Sequence, residues 1–254
     1  MDIKKSIDVR QFISQLDSCF NAGDSKAAKE CISYWEKAAR ESGDNRGLLA
    51  VLNEAVGFYR RAKKKGKALA AMEESLLLVE KLELSNVLSG ATIYINAATT
   101  LSFFGDAEGG LRLYDKAAVC YEEANKTNSY EYAALLNNRA GTLYSQKRFS
   151  EAEKDWLLAI DILKKLGGYD SDIAISFVML AHLAFDTGDP DSLIETLLDC
   201  AWEYLNSNNQ PKDGNYAYAL RKCAPSFEFF QRPLEARALR DVAREIYDKG
   251  KNLS

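Results

Sequence analysis

The chain is short of the residues that break helices and of the residues that catalyse. It has four prolines and 15 glycines in 254 residues, and one histidine, His182. So few breakers leave room for long regular segments. A lone histidine within "LAHLAF" assembles no Ser-His-Asp or Cys-His arrangement. Five cysteines, Cys19, Cys31, Cys120, Cys200 and Cys223, are scattered, odd in number and without a CxxC pair. That argues against a disulfide framework or a zinc site, and for small packing groups in a reducing cytosol. Positive charge is not in excess; the net charge is −4, so no basic field invites nucleic acid. No apolar run approaches the roughly 20 residues that cross a bilayer. The first residues, MDIKKSIDVRQFISQL, are charged throughout and have no apolar core, so no signal peptide is expected. Phosphate-loop and dinucleotide motifs, metal-ligand spacings and carboxylate pairs on an apolar background are all missing. These absences point away from an enzyme, a cofactor, a metal, nucleic acid or a membrane, and toward a cytoplasmic protein.

What is present is helical periodicity. Ala, Leu, Glu and Lys dominate, and in 150–166 the residues Ala152, Trp156, Ala159, Ile160, Leu163 and Leu166 fall on one stripe. Ser150, with Glu153 three residues on, reads as a capping box at the start of that helix, and Gly167-Gly168 as its stop. Residues 130–146 form a second run, joined to the first by the short turn "QKRFS".

The hairpin recurs. Asn138, Ala140, Ala152, Trp156 and Ala159 have counterparts at Asn96, Ala98, Gly110, Tyr114 and Ala117, each 42 residues earlier. Asn53 and Ala55 begin another copy, whose turn near the lysine-rich stretch Lys63–Lys67 differs by one residue. That stretch reads as a solvated turn, with an anion or partner patch as the other reading. Downstream, Ala181 is set opposite Leu193, Leu197 and Cys200, and Ala224 opposite Ala236, Arg240 and Ala243. At the start, Leu16 is set opposite Ala28, Ile32 and Trp35. The spacing has a physical logic. Helices approach to about 8 Å only where small side chains face each other, and the large residue then fills the gap to the next hairpin. One hairpin cannot bury its apolar faces alone, and stacking completes the core.

This pattern resembles the tetratricopeptide repeat family, in the long-helix form of kinesin light chains and bacterial regulatory repeats. The resemblance implies an all-α, right-handed superhelical solenoid over 1–254, built of about six antiparallel helix hairpins near 3–42, 45–82, 87–125, 129–167, 170–206 and 213–250. Pro190 and Pro233 are expected at helix starts, and Pro225 should kink or shorten its helix. The polar stretch 206–215 reads as a flexible linker, and the last helix as amphipathic on Leu234, Leu239, Val242, Ile246 and Tyr247.

The candidate site follows from the same register. Asn53, Asn96 and Asn138 share one repeat position on the first helices of three hairpins. In the family that position lines the concave groove, where asparagines can grip the backbone of an extended peptide. An Asn amide offers donor and acceptor, so it pairs with any peptide unit. First helices on the order of 10 Å apart would meet an extended chain, at about 3.3 Å per residue, every third residue. By family register the groove also presents Tyr59, Arg60, Thr99, Asn137, Tyr144, His182, Phe185 and Arg221. The other reading of the asparagines is that they tie neighbouring helices together. The expected function is a non-enzymatic adaptor or regulatory scaffold that binds a protein or an extended peptide, without a cofactor. The alternatives are a self-associating structural protein, hence a homo-oligomer, and a sensor of a signalling peptide or small molecule.

Overall fold

The computed structural model describes residues 6–251; the expected start of the first hairpin at residue 3 lies outside them. Twelve helices make up the described chain, with no strand among the described residues. In order they are α1 (Val9–Asn21), α2 (Ser25–Ser42), α3 (Asn45–Arg61), α4 (Lys65–Lys81), α5 (Leu88–Phe103), α6 (Ala107–Glu123), α7 (Tyr130–Ser145), α8 (Phe149–Leu166), α9 (Asp170–Thr187), α10 (Asp191–Leu205), α11 (Gly214–Phe229) and α12 (Pro233–Lys251). They pair as six hairpins, α1–α2 through α11–α12.

Short polar side chains start many of these helices. Asp8, Asp24, Asp44, Asp106, Ser129 and Asp213 each accept a backbone N–H of the first turn, which satisfies donors that the helix itself leaves open. Within each hairpin three residues separate the helices, and one of them takes a left-handed conformation. It is Gly23, Lys63, Gly105, Lys147, Gly188 and Gln231 in turn. Three of the six are therefore not glycine, although the left-handed region costs such residues free energy. Tight turns made this way explain how so glycine-poor a chain reverses direction six times.

The helices group into two compact units, one ending at Asn125 and the other beginning at Lys126. In the first, α1, α3 and α5 contact one another in sequence, and α2 and α4 pack on the first helix of the next hairpin. In the second, α7, α9 and α11 form the corresponding series, with α8 packed on α9. This is the repeat arrangement in which first helices share a face.

The small-residue crossings are where the spacing put them: Ala98, Ala140, Ala152 and Ala181 are all 0% exposed. Trp156 and Tyr114 are buried beside them. Gly110 is the most crowded crossing. A Cβ there would lie 2.2 Å from Ser102 Oγ and 2.9 Å from the Ala98 carbonyl oxygen, so α5 and α6 meet backbone to backbone.

Other expectations are corrected. Ile194, Leu198 and Ala201 are the buried residues opposite Ala181, while Leu193 is 42% exposed. The register shifts by one because α9 runs six residues beyond Ala181, whereas α7 runs five beyond Ala140. Ser150 does not cap α8. The helix starts at Phe149 after Arg148, whose guanidinium instead donates to Glu151 at 2.7 Å. Pro190 is the N-cap residue of α10 and lies just outside the helix; Pro233 does begin α12. α11 passes through Pro225 and keeps 16 residues, as long as α5 and α7. The proline itself is exposed and lies four residues before the end of the helix, where one lost N–H bond is tolerated. On α12, Leu234 is 78% and Val242 40% exposed; the buried residues are Ala236, Leu239 and Ala243.

Candidate functional site

In the second unit a cavity of about 760 Å³ opens where α7, the start of α9, the segment before α11 and α11 itself converge. The segment 206–213, which contributes Gln210, Pro211 and Asp213 to its lining, is fixed by a set of specific bonds. The Ser171 backbone N–H donates to Gln210 Oε1 at 2.7 Å, and Gln210 Nε2 donates to the Tyr204 carbonyl at 3.3 Å. Ser207 donates to the Asp170 carboxylate, and the Tyr216 hydroxyl donates to the Leu205 carbonyl at 2.8 Å. Gln210 is buried. The polar stretch expected to be a flexible linker is thus bonded into one wall of the cavity.

Two expected residues line it. Asn137 accepts from Ser176 Oγ through its Oδ1 at 2.8 Å, which leaves its NH₂ group for the cavity. Asn138 is exposed and also lines it. Facing them are Asp172 from the first turn of α9 and Lys222 from α11. Burial pushes the Asp172 carboxyl above the usual carboxylate range, and Lys222 draws it part of the way back. The two attract each other, yet no ion pair closes between them among the described residues. The ring of Tyr130 stacks on that of Tyr169, with centroids 4.6 Å apart and planes at 20°. Tyr218 lines the opposite wall and is largely exposed. The Ser171 hydroxyl is buried in the lining with no hydrogen-bond partner.

Sequence reading missed Tyr130, Tyr169, Asp172 and Tyr218. The repeat register did not point to them: α7 and α9 are offset by 41 residues, as Ala140 and Ala181 show, so Tyr130 corresponds to Ser171 and not to Asp172. The segment carrying Gln210 lies outside that register.

The remaining expected residues lie elsewhere. Tyr144 in α7 donates to the Asp186 carboxylate of α9, and burial with that bond pushes its phenol up to about 12. His182 Nε2 lies 2.9 Å from Ser226 Oγ on α11, and its ring packs against those of Phe229 and Phe230. Burial holds the His182 imidazole below its ordinary pKa. Phe185, exposed, packs edge-on against the same two phenylalanines. Arg221 lies over the Tyr247 ring at 5.6 Å.

In the first unit, Asn96 Nδ2 donates to Asn53 Oδ1 at 2.8 Å. Arg60 donates to the Asn96 carbonyl at 3.2 Å and to Thr100 Oγ1 at 3.0 Å. Thr99 bonds the Ile95 carbonyl and meets the Tyr114 hydroxyl at 2.9 Å. Tyr59 has Lys67 Nζ over its ring at 5.4 Å. Among the described residues no group of three or more His, Cys, Asp or Glu side chains is placed to hold a metal ion, and no helix is long and apolar enough to cross a membrane. All five cysteines are free, and burial pushes the Cys223 thiol up to about 12.

Comparison with known proteins places the fold. Residues 133–171 match the tetratricopeptide repeat family. No curated protein matches the sequence. Among solved structures, BtubC (BKLC) from P. vanneervenii superposes with a TM-score of 0.62 at 16% identity, covering 94% of this chain and 91% of that one. The apo form of RapI gives 0.63 at 12% identity, covering 98% and 100%. PlcR of Bacillus thuringiensis, solved with the peptide PapR7 and DNA, gives 0.58 at 14% identity, covering 91% and 73%. The resemblance seen in the sequence is borne out where the family model matches, over residues 133–171, and the fold of the chain is that of these helical-repeat proteins.

Proposed function

We propose that this tetratricopeptide-type repeat protein is a non-enzymatic regulatory or adaptor module that binds a peptide or an extended protein segment on its first helices, with the cavity of the second unit as the principal site. The observation that carries this reading is the lining of that cavity: two adjacent asparagine amides, Asn137 and Asn138, set among tyrosines, two carboxylates and one lysine. Amides read a peptide backbone without regard to its side chains, and tyrosines supply large amphipathic contact area. A cleft of this volume is within the range of ligand pockets, about 300–1,000 Å³. The likeness to PlcR, a fold partner solved with a peptide, supports the same reading.

A displayed random-peptide library panned against the full chain tests it. Selected peptides should lose several-fold to roughly a hundredfold in affinity to Asn138→Ala, since one or two hydrogen bonds of about 0.5–1.5 kcal/mol each are lost. Ala134→Trp, which fills the cavity from α7, should abolish binding. Selection of peptides indifferent to both variants would place the ligand elsewhere and sink the proposal.

The exposed Leu234 and Val242 on α12 favour a second reading, self-association through the last hairpin. A sizing-column mass that falls to the monomer value in Leu234→Glu would support it, and a monomer at every concentration would dismiss it.

A further inference from the structure

The cavity carries more chemistry than backbone recognition needs. Three charged side chains line it: Asp172, Asp213 and Lys222. Asp213 is already engaged, because its carboxylate caps α11 by accepting the Asn215 and Tyr216 N–H groups at 2.9 and 3.1 Å. Asp172 accepts no side-chain or backbone donor at its carboxylate among the described residues; its main chain is bonded instead, the N–H donating to the Tyr169 carbonyl at 3.0 Å and the carbonyl accepting from Ser176 Oγ at 2.9 Å. Its place in the first turn of α9 favours the ionised form through the helix dipole. A half-buried carboxylate that lines a cavity without a donor is an acceptor open to a cation. Lys222 does not close onto it.

The surroundings suit a cation for a second, independent reason. Four tyrosines, Tyr130, Tyr169, Tyr216 and Tyr218, line the same space, and tyrosine faces attract ammonium and guanidinium groups. The chain shows this at the edge of the cavity, where Lys212 Nζ sits 4.1 Å from the centroid of Tyr216. The buried Ser171 hydroxyl, without a partner, supplies a further polar contact in the lining.

We infer that the cavity accepts a cationic group of the bound segment, an ammonium or a guanidinium, with Asp172 as its counter-ion and the rings of Tyr130, Tyr169 and Tyr218 around it. The inference rests on the peptide-binding reading in one respect, that a peptide carries the cation. Lys222 then acts as an internal competitor that disfavours basic groups unless they reach Asp172 closely.

The test uses defined probes on the full chain. N-acetyl-L-arginine methylamide, its neutral isostere N-acetyl-L-citrulline methylamide, and L-alanine methylamide, which has a free amino group, are titrated and followed by the amide resonances of Ser171 and Asp172. One or both charged probes should bind at least tenfold more tightly than the citrulline compound. Which charged probe binds better separates a basic side chain from an amino terminus as the source. Asp172→Asn should weaken the charged probes at least tenfold, and Tyr218→Leu several-fold. Lys222→Gln should strengthen them, an effect that a structural role for Lys222 would not produce. Equal binding of the citrulline compound, or indifference to Asp172→Asn in a protein with an unchanged circular dichroism spectrum, overturns the inference. Library peptides that require Asn138 yet ignore Asp172→Asn would leave the groove reading standing and the cation site refuted. Arginine-probe binding that depends on Asp172, with no library peptide selected, would do the reverse.

Discussion

The two units use one repeat position in opposite ways. On α3 and α5 the asparagines face each other: Asn96 donates to Asn53, and Arg60 ties the Asn96 carbonyl and Thr100 into the same knot. Their hydrogen-bonding capacity is largely absorbed between neighbouring helices. On α7, Asn138 has no such partner on α9, and Asn137 gives only its Oδ1 to Ser176. There the first turn of α9 and the bonded segment before α11 stand off, and a cavity remains. The same residue type at the same register is thus a strut where the next helix offers a matching amide, and an unbonded group beside a cavity where it does not. An unbonded polar group beside a cavity is tolerated because water or a ligand can reach it, whereas the same group sealed between helices must find a partner.

The largest expected effects break the helix crossings common to both units. Ala140→Phe in the second unit should overpack the α7–α8 crossing and lower stability by about 1–3 kcal/mol, read as a shift of the urea midpoint. An unchanged midpoint would mean the crossing is not tight. Gly110→Ala tests the same point in the first unit. Its new Cβ would press on the Ala98 carbonyl, so it should destabilise by about 1–2 kcal/mol despite the better helix propensity of alanine. Gly141, on α7, is the control. A Cβ there meets nothing within 4 Å, and Gly141→Ala should stabilise by roughly 0.5–1 kcal/mol.

A second pair of variants sharpens the contrast between strut and binder. Asn96→Ala removes a bond between helices and strands the Asn53 oxygen, so thermal or urea melts should show a loss of about 1 kcal/mol. Asn138→Ala should change stability by less than about 0.5 kcal/mol while weakening any selected peptide. Equal stability losses in the two would erase the distinction between the units.

The smallest expected effect concerns Asp172. Its folded-state pKa is raised, so the fold holds its proton more tightly than the unfolded chain does. The sign follows: this group favours the folded state at acid pH, and that contribution fades as pH rises through its raised pKa. At neutral pH Asp172→Asn should therefore be slightly more stable than the parent, by roughly 0.5 kcal/mol. Binding of a cationic probe has the opposite dependence. It should fall as pH drops through the same range, because the carboxylate is neutralised. The groups facing Asp172, namely Tyr130 on α7, Tyr169 beside it, Asp213 before α11 and Lys222 on α11, make Lys222 the one fixed opposing charge. Calorimetric titration between pH 4 and 8 checks the binding limb, and a flat profile would refute it.

Much of the fold was legible because helix packing is a matter of local volume. Alanine and glycine at Ala98, Ala140 and Gly110, with a large residue four places beyond the facing small one, specify a crossing wherever they recur. Copies 42 residues apart then specify stacked hairpins. The turns were less legible, since Lys63, Lys147 and Gln231 adopt left-handed conformations that composition does not announce. The fifth hairpin slipped by one residue for a related reason. One extra residue of α9 before the turn leaves no mark in the apolar pattern until α10 packs.

The sequence by itself determined the all-α hairpin repeat and the small residues of the first helices that sit at the crossings, because those depend on side-chain size at a fixed helical period. It also determined which positions lie on the first helices. Only the tertiary structure decided what those positions do. Whether Asn96 bonds Asn53, and whether Asn138 faces open space, is set by distances between helices that no single helix encodes. The cavity depends further on Gln210, Ser207 and Tyr216 bonding a polar segment across to α9 and α10. Those contacts join residues 11 to 39 positions apart, outside the repeat period, and they form only once the hairpins have stacked.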